Sequence, residues 1–351
     1  MRRALLAVVG GAVLLALAAA ALRPDPGVRV RAGQLCGVAY AHTWQEGGRV
    51  GYGSARSAKT LRVLHDLGVD AVSYTPFGWM RSRRATEVVW SRDRGERFDG
   101  IRTDAERAHA LGMSVLHKPH LWVGHGDWRG ALDPDPASGG WDAWFDSYQR
   151  FAVAQGRLAA EIGAEWYCVG TELTSSVKAR PDRWRALIAA VRKVYPGKLT
   201  YCANWNAVGD VPFWDALDGI GVQMYAPLAK APTTDEALLR RGAEKWLHRY
   251  EAVSERVGKP LLLTEVGFVN RPDAVVKPYE WSPGGVPTAA GDAAQAAAYA
   301  AIDRTFGRSP RVLGIFWWKW FTDPATREEA GVGFPPTGKP AEGVLRAGCG
   351  G

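Results

Sequence analysis

The chain has 351 residues, a formal net charge of +8, 47% hydrophobic residues and 23% charged residues. That balance excludes a disordered or fibrous chain and leaves room for one sizeable core. The basic residues are scattered, and the densest run, Arg81-Ser82-Arg83-Arg84, is expected to be a solvated loop, so no nucleic-acid partner is expected. Tryptophan, at 16, outnumbers both Phe (10) and Tyr (11), and large flat rings suit a core, an interface or a sugar platform.

Residues 1–22 open with Arg2-Arg3, continue as an apolar run and end in small residues around Ala18-Ala19-Ala20. The basic flank, the run of about 19 apolar residues and the small-residue end fit a signal peptide or an uncleaved membrane anchor. The chain is therefore expected to be secreted or anchored at the outer face of the cell membrane. Residues 23–33 form a Pro/Gly/Arg linker, and 34–351 form one domain with no internal repeat.

In chain order, eight short apolar runs follow: 34–40, 71–75, 114–119, 165–170, 199–203, 220–225, 261–266 and 313–318. Continuous apolar runs of that length suit strands buried on both faces of a parallel sheet. Helical stretches lie between them. Those at 57–67, 103–111 and 141–162 stop at Gly68, Gly112 and Gly163, as C-caps do. The stretch 181–195 begins with Pro181, and 234–257 and 289–306 stop at Gly258 and Gly307. A short helix at most is expected at 213–217. Eight strand–helix repeats predict an α/β fold closed as a single (β/α)8 TIM barrel.

Cysteines lie at Cys36, Cys168, Cys202 and Cys349, none in a Cys-x-x-Cys pair, so no zinc site is expected. Export permits disulfides. In a barrel the first strand starts, and the last helix returns, at the bottom face, so a Cys36–Cys349 bridge is expected. Its Cα atoms must then lie within about 7 Å. Cys168 and Cys202 are expected to be buried thiols.

Two glutamates end strands: Glu172, after Cys168-Val169-Gly170-Thr171, and Glu265, after Leu261-Leu262-Leu263-Thr264. Alternation puts Cys168, Gly170 and Glu172 on one face, and Leu261, Leu263 and Glu265 on one face. Catalytic groups of this fold come from the C-terminal strand ends. Glu172 ends the fourth strand and Glu265 the seventh, so the two face each other across the mouth. A pair of carboxyl groups flanking a sugar bond is what glycoside hydrolysis requires, about 5–5.5 Å apart where configuration is retained.

Six stretches stand out in order: His117-Lys118-Pro119-His120 with Trp122, Gly170-Thr171-Glu172-Leu173, the run from Leu199 to Trp205, the run from Phe213 to Gly221, Leu263-Thr264-Glu265-Val266-Gly267, and Gly314-Ile315-Phe316-Trp317-Trp318. By these the chain resembles clan A of the glycoside hydrolases and, more closely, glycoside hydrolase family 113, the endo-β-mannanase family. These stretches run in order across about residues 34–345 and form a fairly specific set. The resemblance implies a retaining β-glycosidase acting on a β-linked polysaccharide or oligosaccharide, mannan first, with Glu172 as acid/base and Glu265 as nucleophile. Many clan members carry Asn before the acid/base, where this chain has Thr171, which bears on substrate preference.

Around that pair, Tyr225 ends the sixth strand and is expected to hydrogen-bond Glu265. Lys118 and His120 end the third strand and are expected to grip sugar hydroxyls. Asn204 and Trp205 end the fifth. Trp44, Trp79, Trp122, Trp128, Trp205, Trp281, Trp317, Trp318 and Trp320 lie at or just past strand ends and are expected to supply a sugar cleft, with Trp318 the foremost platform. Asp127, Asp323 and Glu280 are expected to be solvated. His117, His120 and His125 are metal ligands by residue type, but a two-carboxylate mechanism needs none, so no metal or cofactor is expected. The expected partner is carbohydrate and the expected state a monomer. The rival readings are a non-catalytic cell-surface carbohydrate-binding barrel, a transglycosylase of an envelope glycan, and a metal-dependent deacetylase. The last would need a His/Asp ligand cluster at several strand ends.

Overall fold

The computed structural model describes residues 33–44, 50–90, 98–280, 285–326, 329 and 331–350. The expected leader at 1–22, all but the last residue of the linker, and Trp281 lie outside the described residues. Eight parallel strands close a barrel: β1 (Leu35–Ala41), β2 (Ala71–Tyr74), β4 (Ser114–His117), β6 (Trp166–Thr171), β7 (Lys198–Asn204), β8 (Gly219–Met224), β9 (Leu261–Val266) and β10 (Val312–Phe321). Each pairs with its neighbour in chain order, and β10 pairs back onto β1. All eight expected strands are present, and the fold is the (β/α)8 barrel.

The helices are α1 (Ala55–Asp66), α2 (Phe98–Ala110), α3 (Gly140–Glu161), α4 (Thr174–Ala179), α5 (Pro181–Arg192), α6 (Glu236–Val257), α7 (Ala289–Phe306) and α8 (Pro340–Cys349). Local chemistry sets their ends. Ser54 caps α1 by accepting from the Ser57 amide at 3.0 Å, and Asp235 caps α6 by accepting from the Leu238 amide at 2.9 Å. Gly258 ends α6 at φ 66°, a left-handed conformation that glycine adopts without a Cβ clash.

The barrel interior and the strand–helix layer are separate apolar clusters. Ala71, Leu116, Trp166, Cys168, Cys202, Leu262 and Phe316 meet inside the barrel. Space for the two large rings comes from glycines on nearby strands. A Cβ on Gly37 would lie 2.4 Å from the Phe316 ring, and one on Gly219 would lie 2.9 Å from Trp166. Overpacking of that kind costs about 1–3 kcal/mol. The larger cluster joins the outward strand residues, such as Val38, Val72, Val169 and Leu263, to helix residues such as Leu61, Ile101, Leu187 and Ile302.

Cys36, in β1, and Cys349, ending α8, form a disulfide with Cα atoms 5.5 Å apart across 313 positions of sequence. The bridge ties the two ends of the barrel chain together. Cys168 and Cys202 are buried free thiols.

Several elements were not foreseen. β3 (Phe77–Met80) and β5 (His120–Val123) form a separate two-stranded parallel sheet beyond the ends of β2 and β4. His120 and Trp122 therefore sit on this small sheet, not on a barrel strand. Each follows a proline, Pro76 or Pro119, that interrupts the barrel strand without ending the extended path. The helix α4 directly after Glu172 was also missed, and 213–217 contains only the 3-10 turn Trp214–Ala216. Two tryptophans expected at the cleft belong to the core. Trp317 stacks on Tyr299 of α7 at 4.2 Å, and Trp320 is fully buried. A register shift against β1 between Trp318 and Trp320 breaks the alternation and puts both Trp317 and Trp320 in the outer apolar cluster, which leaves the half-buried Trp318 as the cleft candidate.

Candidate active site

Both carboxylates reach the mouth through a break in strand alternation. In β6, Cys168 faces the barrel interior, whereas a Cβ on Gly170 would strike Trp184 of α5 at 2.5 Å, on the helix side. The register with β7 shifts between Cys168 and Thr171. Glu172 then adopts φ 56°, with its amide donating to the Cys202 carbonyl at 2.8 Å. The expected single face for Cys168, Gly170 and Glu172 is therefore incorrect: the shift and the left-handed backbone re-aim the glutamate. A left-handed non-glycine residue costs on the order of 1–3 kcal/mol and is commonest where function holds it.

The same happens in β9. Leu262 lies inside the barrel and Leu261 and Leu263 face the helices, so an unbroken alternation would send Glu265 outward. A register shift against β8, between Val222 and Gln223, sets Glu265 opposite Gln223 and turns it to the mouth. Irregularities of this kind re-aim side chains next to active sites.

Glu265 is nearly buried and surrounded by donors. The Lys118 ammonium bonds Oε1, and Tyr225 Oη donates to Oε2 at 2.7 Å. The Nε2 atom of His120 lies 3.2 Å from Oε1 and 3.0 Å from Lys118 Nζ. Burial pushes the Glu265 carboxyl up, but the Lys118 charge and the His120 and Lys118 hydrogen bonds outweigh it and hold the group far below the usual carboxylate range. Burial, reinforced by the Lys118 charge, lowers His120 to about 3, so the ring is neutral at ordinary pH. Lys118 is fully buried and its ammonium is turned to Glu265. It therefore serves the carboxylate, where the sequence suggested a grip on sugar hydroxyls.

Glu172 has different company. Its Oε2 atom lies 4.0 Å from Arg129 Nε, and the side chains are 15% and 20% exposed. Burial raises its carboxyl. The Arg129 charge opposes that rise and the negative charge of Glu265 adds to it, leaving the group above the ordinary carboxylate value. The neighbouring Trp128 indole also works against the rise. Arg129 was missed by the sequence reading. It sits in the loop 124–132, where nothing in residue spacing distinguishes it from the other scattered arginines.

The remaining expected residues divide. Trp318 stacks on His120 at 6.0 Å with the rings 10° apart, and Lys118 lies 5.6 Å from its centroid. It thus joins the Glu265 group. Trp122 is paired in register with Trp79, their rings 6.0 Å apart and both over two-fifths exposed. Strand alternation puts these two indoles on the same face of the small sheet as Phe77 and His120. Asn204 ends β7 and donates to Asn206 at 2.8 Å, nearly buried. Trp205 packs edge-on to Trp246 of α6 at 5.0 Å and stacks on Tyr279 at 5.7 Å. Those rings draw it toward α6. Of the histidines considered as ligands, His117 faces the helices and meets Gln155 at 2.7 Å, His120 serves Glu265, and His125 stands in a turn at φ 63°. Among the described residues no group of three or more His, Cys, Asp and Glu could hold a metal ion.

The profile of Glycoside Hydrolase Family 113 matches residues 40–334. The chain belongs to this family. A β-mannanase of the family from Alicyclobacillus acidocaldarius, solved with the compound ManMIm, is 27% identical with a TM-score of 0.78, covering 90% of this chain and 97% of that one. Another solved family 113 β-1,4-mannanase is 26% identical with a TM-score of 0.77, covering 90% and 98%. A β-glucuronidase from Ruminococcus gnavus, 12% identical with a TM-score of 0.58 over 89% of this chain and 48% of that one, shares the fold alone. No curated protein matches the sequence.

Proposed function

We propose that this glycoside hydrolase cleaves β-mannan with retention of configuration, using Glu265 as nucleophile and Glu172 as acid/base. One observation carries the reading: two carboxyl groups share one mouth, and their surroundings push their proton affinities in opposite directions. Such a split separates an acid from a nucleophile. Glu265, ionised by Lys118 and Tyr225, attacks the anomeric carbon. The glycosidic C–O bond breaks, and the departing oxygen takes the proton of Glu172. In the second step water attacks the glycosyl ester, Glu172 takes a proton from that water, and Glu265 leaves as carboxylate.

Mannan is the proposed substrate because the family 113 structures of similar sequence are described as β-1,4-mannanases. The exposed Trp79 and Trp122 continue outward from His120 and offer a sugar chain two further stacking surfaces. We further propose export, with the enzyme secreted or held at the outer membrane face. The apolar segment 1–22 and the Cys36–Cys349 disulfide support that reading. The purified domain, assayed on β-mannans, β-glucans, xylans and aryl β-glycosides, should be most active on β-mannan. Preference for another backbone would overturn the substrate, and inactivity on every β-glycoside would overturn the hydrolase mechanism.

A further inference from the structure

The acid/base must hold a proton in one step and surrender it before the next. Glu172 is largely enclosed, with its side chain 15% exposed, and that desolvation alone favours the protonated form in both steps. The charged and titratable groups that face it are Arg129 from the loop after β5, Lys118 after β4, Glu265 on β9, Tyr225 after β8 and Tyr201 on β7. His120, on β5, is neutral and occupied with Glu265. Among the described residues Arg129 is the cation in ion-pair range of Glu172, whereas Lys118 is bonded to Glu265.

The loop is built to hold that guanidinium in place. Trp128, Arg129 and Gly130 form a tight turn closed by the Ala131 amide on the Trp128 carbonyl at 3.0 Å. A Cβ on Gly130 would sit 2.3 Å from the Trp128 indole, so the ring lies flush against its own backbone. The turn Arg129–Ala131 packs on α4, which begins two residues after Glu172. Arg129 Nη1 is buried with no hydrogen-bond partner. Leaving a buried donor unpaired costs on the order of 1–3 kcal/mol. A purely structural arginine would be expected to spend that donor on a carbonyl or carboxylate.

Resting on the two-glutamate reading above, we propose that Arg129 is a positioning residue that lets Glu172 change from acid to base between the two steps. Before attack, the Glu265 charge offsets Arg129 and the proton stays on Glu172. Once Glu265 is esterified, its negative charge is gone, and Arg129 and Lys118 then act unopposed on Glu172. The proton passes to the leaving oxygen, and the resulting carboxylate is held by Arg129 until it takes the proton of the attacking water.

Arg129→Met, Arg129→Gln and Arg129→Lys test this in the full-length enzyme on an aryl β-mannoside. The acid is lost as pH rises through its pKa, so the basic limb of kcat/KM reports Glu172. Without the guanidinium that pKa rises. The limb should therefore move to higher pH, by about one unit, in Arg129→Met. Deglycosylation should slow more than glycosylation, seen as a burst of aryl alcohol, while Arg129→Lys restores the limb toward wild type. Arg129→Gln, which keeps length and polarity, gives the same reading should the methionine variant unfold. An unmoved basic limb with both steps slowed alike overturns the inference. A wild-type enzyme without turnover on any β-glycoside would overturn the underlying reading and the inference with it.

Discussion

The two sides of the barrel mouth treat the same functional group in opposite ways. Glu265 is enclosed by an ammonium, a phenol and an imidazole, all within hydrogen-bond reach. Glu172 has an indole and one guanidinium at ion-pair range. Burial penalises the charge at both positions, so it cannot separate their roles. The separation comes from the number and closeness of donors: direct contact overwhelms desolvation at Glu265, and a more distant cation only moderates it at Glu172. A charge held that firmly suits a nucleophile that must be ionised before substrate arrives. The looser arrangement suits a group that must change protonation twice per turnover.

The comparison breaks first at the carboxylates themselves. Glu265→Ala should lower kcat by about 10⁴-fold or more, since no covalent intermediate can form. Azide should then enter the vacated side and yield the α-glycosyl azide. Glu172→Ala should be damaged less on aryl β-glycosides with good leaving groups, which depart with little protonation, by about 10²–10⁴-fold. Azide should accelerate this variant and give the β-glycosyl azide. Product anomers read by NMR decide the assignment, and swapped products would exchange the two roles.

The barrel was legible because apolar runs and glycine stops are local signals, and eight of them in alternation leave few other topologies. The strand-end glutamates were legible for the same reason. Their orientation was not. Leu261 and Leu263 face the helices, and only a register shift brings Glu265 round, which a period-two count cannot see. Lys118 was expected at the cleft but not against the nucleophile, because a fully buried lysine is rare and nothing on its own strand announces its partner 147 positions away. Arg129 gave no signal at all, since its value depends on a loop conformation. The paired prolines Pro76 and Pro119 were the available hint of the small sheet that carries His120 and Trp122.

Lys118→Met should be the next largest perturbation. It removes the nearest cation from a buried carboxylate, so the Glu265 pKa must rise. The nucleophile is needed ionised, and activity is lost as pH falls through that pKa. In the wild type Glu265 titrates far below the usual carboxylate range, so no acid limb from it should appear above about pH 4. In Lys118→Met an acid limb should rise into the range around pH 5–6, with kcat/KM at neutral pH lower by about 10²-fold. The same sign governs stability. The depressed Glu265 pKa stabilises the fold above the unfolded carboxylate value, and that contribution disappears only as pH falls through the folded one. Thermal denaturation at pH 4 and pH 7 should therefore separate wild type from variant. An unchanged acid limb would mean that Tyr225 and His120 suffice.

Tyr225→Phe is the mildest and sharpest of these tests, because it deletes one oxygen and keeps the ring that packs on Phe334 at 6.0 Å. A hydrogen bond to a charged group contributes about 1.5–3 kcal/mol, so the loss should be about 10–100-fold if the bond is made chiefly to ionised Glu265. The phenol stabilises the carboxylate before attack, and the nucleophile without it is more basic but less well aimed. The expected result is a fall in kcat for glycosylation with KM little changed, plus an acid limb displaced less than in Lys118→Met. The Lys118 charge remains, so the displacement should stay below about one pH unit. A rise in KM with kcat intact would mean that the phenol holds sugar in place of the carboxylate. The tight grip on Glu265 would then rest on Lys118 and His120, and the contrast with Glu172 would narrow to one cation in contact against one at ion-pair distance.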